Sequence, residues 1–174
     1  MKEFLEKYYD KSIELKERFK ITEKMPWDYL TVINELNVQI GHVVSITSES
    51  SHKELYRNIN NLGDEISDVF FQLILLVYYC NYDIKKIEYN SKDKTIESLL
   101  VVLGQCTEAL LEKKGLRFNK PREGFKNIDE YILYKISNMF SIIYNYSSDK
   151  CDIDKEYNLM LIDANGFLDR YKKE

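Results

Sequence analysis

The chain has 174 residues, a formal net charge of −4 and 44% apolar residues, the size and make-up of one globular unit with a sizeable core. A net acidic balance is a poor match to general nucleic-acid binding, and the longest apolar run, residues 69–79, is too short to span a membrane. Three unpaired-looking cysteines and a charged start (Lys2, Glu3, Glu6, Lys7) without an apolar signal core lead to the expectation of a soluble, cytoplasmic protein with free thiols.

Only six Gly and two Pro punctuate the sequence, so long helices are expected and the fold class is all-α. Residues 1–20 place Phe4, Tyr8, Leu15 and Phe19 at helical spacing. After a break at 21–26, Trp27 follows Met25-Pro26 and opens a helix expected to run to Thr47. Its apolar face is Val32, Ile33, Leu36, Ile40, Val43 and Val44, with Glu35 at the edge and His42 two turns on. A polar loop at 48–52 and a short helix at 54–59 lead to a strongly apolar helix from about 64 to 80. Residues 89–94 are polar enough to be a linker. The next helix, 96–114, stops at Gly115, a natural C-terminal cap. A basic loop follows, holding Arg117, Lys120, Arg122 and Lys126. Residues 128–146 form a further apolar helix, and the last helix carries Tyr157, Met160, Leu161, Ala164, Phe167, Leu168 and Tyr171 as one stripe.

The helix starting near Asp64 organises the rest. Glu65, Asp68 and Gln72 share one face, since residues three and four apart are neighbours on a helix. An acid pair at this spacing commonly sits on a solvated face. Here the apolar continuation Val69 to Val77 embeds it instead. Carboxylates are rarely buried without a partner, and two of like charge resist ionising together. A divalent cation resolves both difficulties.

The two central helix pairs align at a constant offset of 70 residues, which puts Val32-Ile33 on Val102-Leu103 and Ile66 on Ile136. The chain is therefore expected to be one all-α domain over 1–174, a pseudo-dimer of two degenerate helix-pair repeats. Repeat one spans about 26–90 and repeat two about 96–160, with a C-terminal helix to 174. The first copy holds Glu35, Glu65 and Asp68 where the second has Gln105, Lys135 and Asn138. The second keeps Glu108 where the first has Val38. One metal site is expected, with Lys135 replacing a cation in the other half.

Carboxylates on two antiparallel helices suit Mg²⁺, with Mn²⁺ as an alternative, because it takes oxygen ligands, keeps waters and is shared with substrate phosphates. No Gly-rich phosphate loop is present. Phosphates would be held by the metal and by basic side chains such as Lys113, Lys114, Arg117, Lys120 and Arg122.

The Glu-x-x-Asp helix, written Asp64-Glu65-Ile66-Ser67-Asp68-Val69-Phe70-Phe71-Gln72, resembles that of the all-α nucleoside triphosphate pyrophosphohydrolases. That superfamily includes MazG-like enzymes, dCTP pyrophosphatases and dimeric dUTPases. Its pattern is Glu-x-x-Glu and then Glu-x-x-Asp; Glu35, Glu65 and Asp68 match it as metal-binding catalytic residues. The resemblance implies Mg²⁺-dependent hydrolysis of a (deoxy)nucleoside triphosphate to the monophosphate and pyrophosphate, serving house-cleaning or pyrimidine pool control. It also implies a MazG-like bundle and a homodimer, with no nucleic-acid or membrane partner. The second family Glu falls on Val38, where Gln39, His42 or Glu108 would have to compensate. The other reading is a catalytically inactive nucleotide-binding or scaffold protein. Trp27, Asn37 and His42 are candidate substrate contacts, as are Lys113, Arg117 and Arg122. The C-terminal family motif is echoed at Asp163-Ala164-Asn165.

Overall fold

The computed structural model describes residues 1–47 and 61–171, and its regular elements are all helical. In chain order they are α1 (Lys2–Phe19), a 3₁₀ turn (Lys20–Thr22), α2 (Tyr29–Thr47), α3 (Leu62–Tyr79), a second 3₁₀ turn (Ile84–Lys86), α4 (Ile96–Lys113), α5 (Ile128–Ser148) and α6 (Ile153–Tyr171). The expected short helix at 54–59 lies outside the described residues. Among the described residues, no helix is long and apolar enough to cross a membrane.

Helix boundaries follow local chemistry. The expected start of α2 at Trp27 moves to Tyr29, because the Asp28 carboxylate accepts from the Leu30 and Thr31 amides and caps the helix there. Asn61, Thr95 and Asn127 cap α3, α4 and α5 in the same manner. α4 ends where Gly115 takes φ 78°, with the Leu116 amide bonding back to the Leu111 carbonyl. α3 ends by the same device with a non-glycine residue: Asn81 sits at φ 58° and the Tyr82 amide reaches the Val77 carbonyl.

α3 is the axis of the molecule and packs against α1, α2, α5 and α6. Five consecutive residues, Leu73 to Val77, are fully buried, as befits a helix that is apolar all round. α2 pairs with α3, α4 pairs with α5, and α2 also touches α4. α1 and α6 close the side of α3 away from that hairpin partner. There Phe4 meets Phe70, the Tyr8 and Tyr157 rings lie 4.7 Å apart, and Ser12 Oγ bonds the Tyr157 hydroxyl at 2.7 Å. On α6 the buried ladder is Tyr157, Met160, Leu161 and Leu168. Phe167, expected on that stripe, lies about 80° round from its centre and is exposed, and Tyr171, within the stripe by angle, is exposed as the last residue of α6.

The polar segment 89–94 is no free linker. It is strapped along α5 by side chains spaced four residues apart. Ser137 Oγ accepts from the Glu88 amide, Ser141 Oγ accepts from the Asn90 amide, and Asn145 donates to the Ser91 and Asp93 carbonyls. Those partners explain why an apolar-looking helix buries Ser137 and Ser141.

Candidate active-site cleft

The helix face carrying the central acids opens into a cleft of about 430 Å³ between α1, α3 and α6. α3 contributes Asp64, Asp68, Phe71 and Gln72 to its wall. α1 contributes Leu15, Lys16 and Phe19, and α6 contributes Met160, Asp163 and Ala164. Glu23 and Trp27, from the segment joining α1 to α2, close one end.

The three acids singled out by sequence divide between two neighbours. Asp68 is half-buried and lines the cleft. Burial, reinforced by Asp64 and Glu65, pushes its carboxyl up to about 7. Glu65 is buried and leans toward α2, where its Oε2 lies 3.0 Å from His42 Nδ1. The same nitrogen lies 3.1 Å from Gln39 Oε1. Glu35 is half-buried on α2 and is not among the charges that act on Asp68. Among the described residues, no three His, Cys, Asp or Glu side chains gather closely enough to hold a metal ion by themselves.

Lys16 was not legible as a site residue, and it is the most unusual group in the cleft. It is 2% exposed, pairs with Glu23, and sets its ammonium 3.4 Å from the centre of the Trp27 ring. Burial pulls its pKa down and Glu23 opposes that shift. The available signal was its place four residues beyond Ser12 and eight beyond Tyr8, on the buried ladder of α1. Gln72 is 7% exposed, and its buried Oε1 has no hydrogen-bond partner.

The remaining candidates lie elsewhere or are already engaged. Glu108, which stands 70 positions after Val38, pairs with Arg117 at 3.2 Å and Lys120 at 3.6 Å. Lys113 holds Asp129, Lys114 holds Asp28, and Arg122 forks onto the buried Glu112. Asn37 is exposed and donates to the Ile33 carbonyl of its own helix. Asn165 accepts from Arg18 and donates to the Leu161 carbonyl, outside the cleft, although its neighbours Asp163 and Ala164 line it. Lys135 donates to Gln105 at 2.7 Å, and these two residues stand 70 positions after Glu65 and Glu35. Val38 is 48% exposed on α2.

Compared with known proteins, the chain matches no family model, no curated protein and no solved structure.

Proposed function

We propose that this protein is a Mg²⁺-dependent nucleoside triphosphate pyrophosphohydrolase whose site is the α1–α3–α6 cleft. The observation that carries this reading is Asp68. It is a carboxylate held partly out of water, one helical turn from Asp64, at the wall of a cleft of nucleotide size. The donor set suits an ion completed by its substrate. Mg²⁺ is characteristically held by one or two carboxylates, waters and substrate phosphates, and the cleft wall carries two carboxylates one helical turn apart, Asp64 and Asp68.

In this reading Asp68 and Asp64 supply the carboxylate oxygens, and Glu65 stands behind them, oriented by His42. When bound, Mg²⁺ supplies neutralisation of the phosphate oxygens and orients an attacking water. Lys16 supplies a cation inside the cleft to face a phosphate, and exchanges Glu23 for it. Hydrolysis between the α and β phosphates releases the monophosphate and pyrophosphate. Support for the pseudo-dimer comes from Phe70 and Phe140, which stand 70 positions apart in sequence and touch ring to ring at 6.2 Å. Residues that meet their own counterparts lie on a pseudo-two-fold axis.

A second reading, nucleotide binding without turnover, has its own observation. The position of the missing family acid, Val38, faces outward, and His42 already engages Glu65. Pyrophosphate release from a panel of NTPs and dNTPs with Mg²⁺, in wild type, Asp68→Asn and Glu65→Gln, decides between them. The pyrophosphohydrolase reading expects turnover that falls at least 100-fold in Asp68→Asn. Nucleotide binding with no turnover in wild type would establish the second.

A further inference from the structure

We infer that Gln72 is the specificity residue of the cleft, accepting a hydrogen bond from an N–H on the edge of the bound nucleobase. The identity of the ligand as a nucleotide rests on the proposed function. The need for a donor at this point rests on separate observations. Gln72 lies one turn beyond Asp68 on the same face of α3 and lines the cleft wall. Its side chain is more than nine-tenths buried, and Oε1 is fully buried with no partner, so a turn of the terminal amide is what presents that oxygen to a ligand in the cleft. A buried acceptor left unmet is destabilising, so natural structures rarely keep one unless something external satisfies it.

The surroundings specify what kind of donor enters. Leu15, Phe71 and Met160 give the cleft apolar walls, against which a flat ring loses little by leaving water. The carboxylates that would meet metal-bound phosphates sit at Asp68 and Asp64. By helix rise these lie about 6 Å and about 12 Å along α3 from Gln72. That is the span between the base edge and the phosphate end of a nucleotide. A base seated at Gln72 therefore leaves its phosphates beside the acids. The amide also presents an N–H₂ next to the carbonyl oxygen, so it matches an edge carrying a donor and an acceptor side by side.

The test titrates wild type and Gln72→Leu with the common nucleoside 5′-monophosphates, with analogues methylated at the edge nitrogen of the preferred base, and with the sugar-deoxy forms. Trp27, the only tryptophan, lines the cleft and reports binding by its fluorescence. The expected result is a loss of at least tenfold in wild-type affinity on edge methylation and less than twofold in Gln72→Leu. Gln72→Leu should melt no lower than wild type, because it removes an unmet polar atom. The inference is overturned if methylated and unmethylated ligands bind alike, if Gln72→Leu keeps the wild-type base preference, if the coupling follows a sugar hydroxyl instead, or if no monophosphate binds. Its fate separates from that of the hydrolase reading. Turnover with no base preference refutes Gln72 alone, whereas a retained methylation penalty with no triphosphate turnover refutes the hydrolase alone.

Discussion

Replacing Asp68 by Asn should stabilise the metal-free protein at alkaline pH and leave it unchanged in acid. The Asp68 carboxyl is displaced from 3.8 to about 7, first by burial and then by Asp64 and Glu65. The fold thus favours the protonated form. Below about pH 4 the group carries its proton both folded and unfolded and has no effect on stability. As pH rises from about 4 to 7 the unfolded chain ionises first, so stability is lost across that window and stays lost above it. At ~1.4 kcal/mol per tenfold change in proton affinity the ceiling is about 4 kcal/mol, and partial exposure of the side chain reduces it to roughly 2 kcal/mol. Urea melts of wild type and Asp68→Asn between pH 4 and pH 8 measure the difference directly, since other titrating groups cancel between them. A constant difference across that range would refute the assigned desolvation. Mg²⁺ adds a second discrimination. At pH 8 it should raise the midpoint of wild type by mass action and leave Asp68→Asn unmoved. A gain in the variant together with no Mg²⁺ response in wild type would keep the burial argument and remove the metal.

Three further outcomes follow from contacts away from Asp68. Glu112→Gln removes the charge and puts an N–H₂ donor in place of one of the two carboxylate oxygens, so Arg122 loses its forked partner, and the change should cost about 2–4 kcal/mol by urea denaturation. Arg122 holds the Glu112 carboxyl below its ordinary value; the wild-type pair therefore contributes above about pH 4.5 and loses its contribution as pH falls below that, a dependence absent in Glu112→Gln. Truncating Phe70 and Phe140 singly should each cost about 3–5 kcal/mol, and the double-mutant cycle should show ~0.5–1.5 kcal/mol of coupling between the rings; zero coupling would mean that the two hairpins do not share a core at this point. Lys16→Met should shift the emission of Trp27, because the ammonium beside the ring is lost, and should weaken nucleotide triphosphate binding more than monophosphate binding; equal weakening would deny Lys16 a phosphate.

The helices were legible because their apolar positions repeat with the helical period, and the cap at Gly115 was legible because a left-handed residue there favours glycine. The start of α2 was misplaced because Pro26-Trp27 is a strong local signal, while the Asp28 cap depends on where the chain turns. Periodicity also gathers residues by angle only. It put Glu65 and Asp68 on one face, but 60° of separation is enough for one carboxylate to meet His42 of α2 and the other to enter a cleft formed with α1 and α6. The walls of that cleft come from segments nearly 150 residues apart, and no spacing rule joins Lys16 to Asp163. The basic loop shows the same limit: Lys113, Lys114, Arg117 and Arg122 each have an acidic partner, Asp129, Asp28, Glu108 and Glu112, that charge counting along the sequence does not supply. Lys16 is the converse case. Its own partner, Glu23, lies on the rim of the cleft rather than in a helix interface, so an incoming anion can compete for it. In the proposed function, Lys16 is therefore the cleft cation that a substrate phosphate would meet.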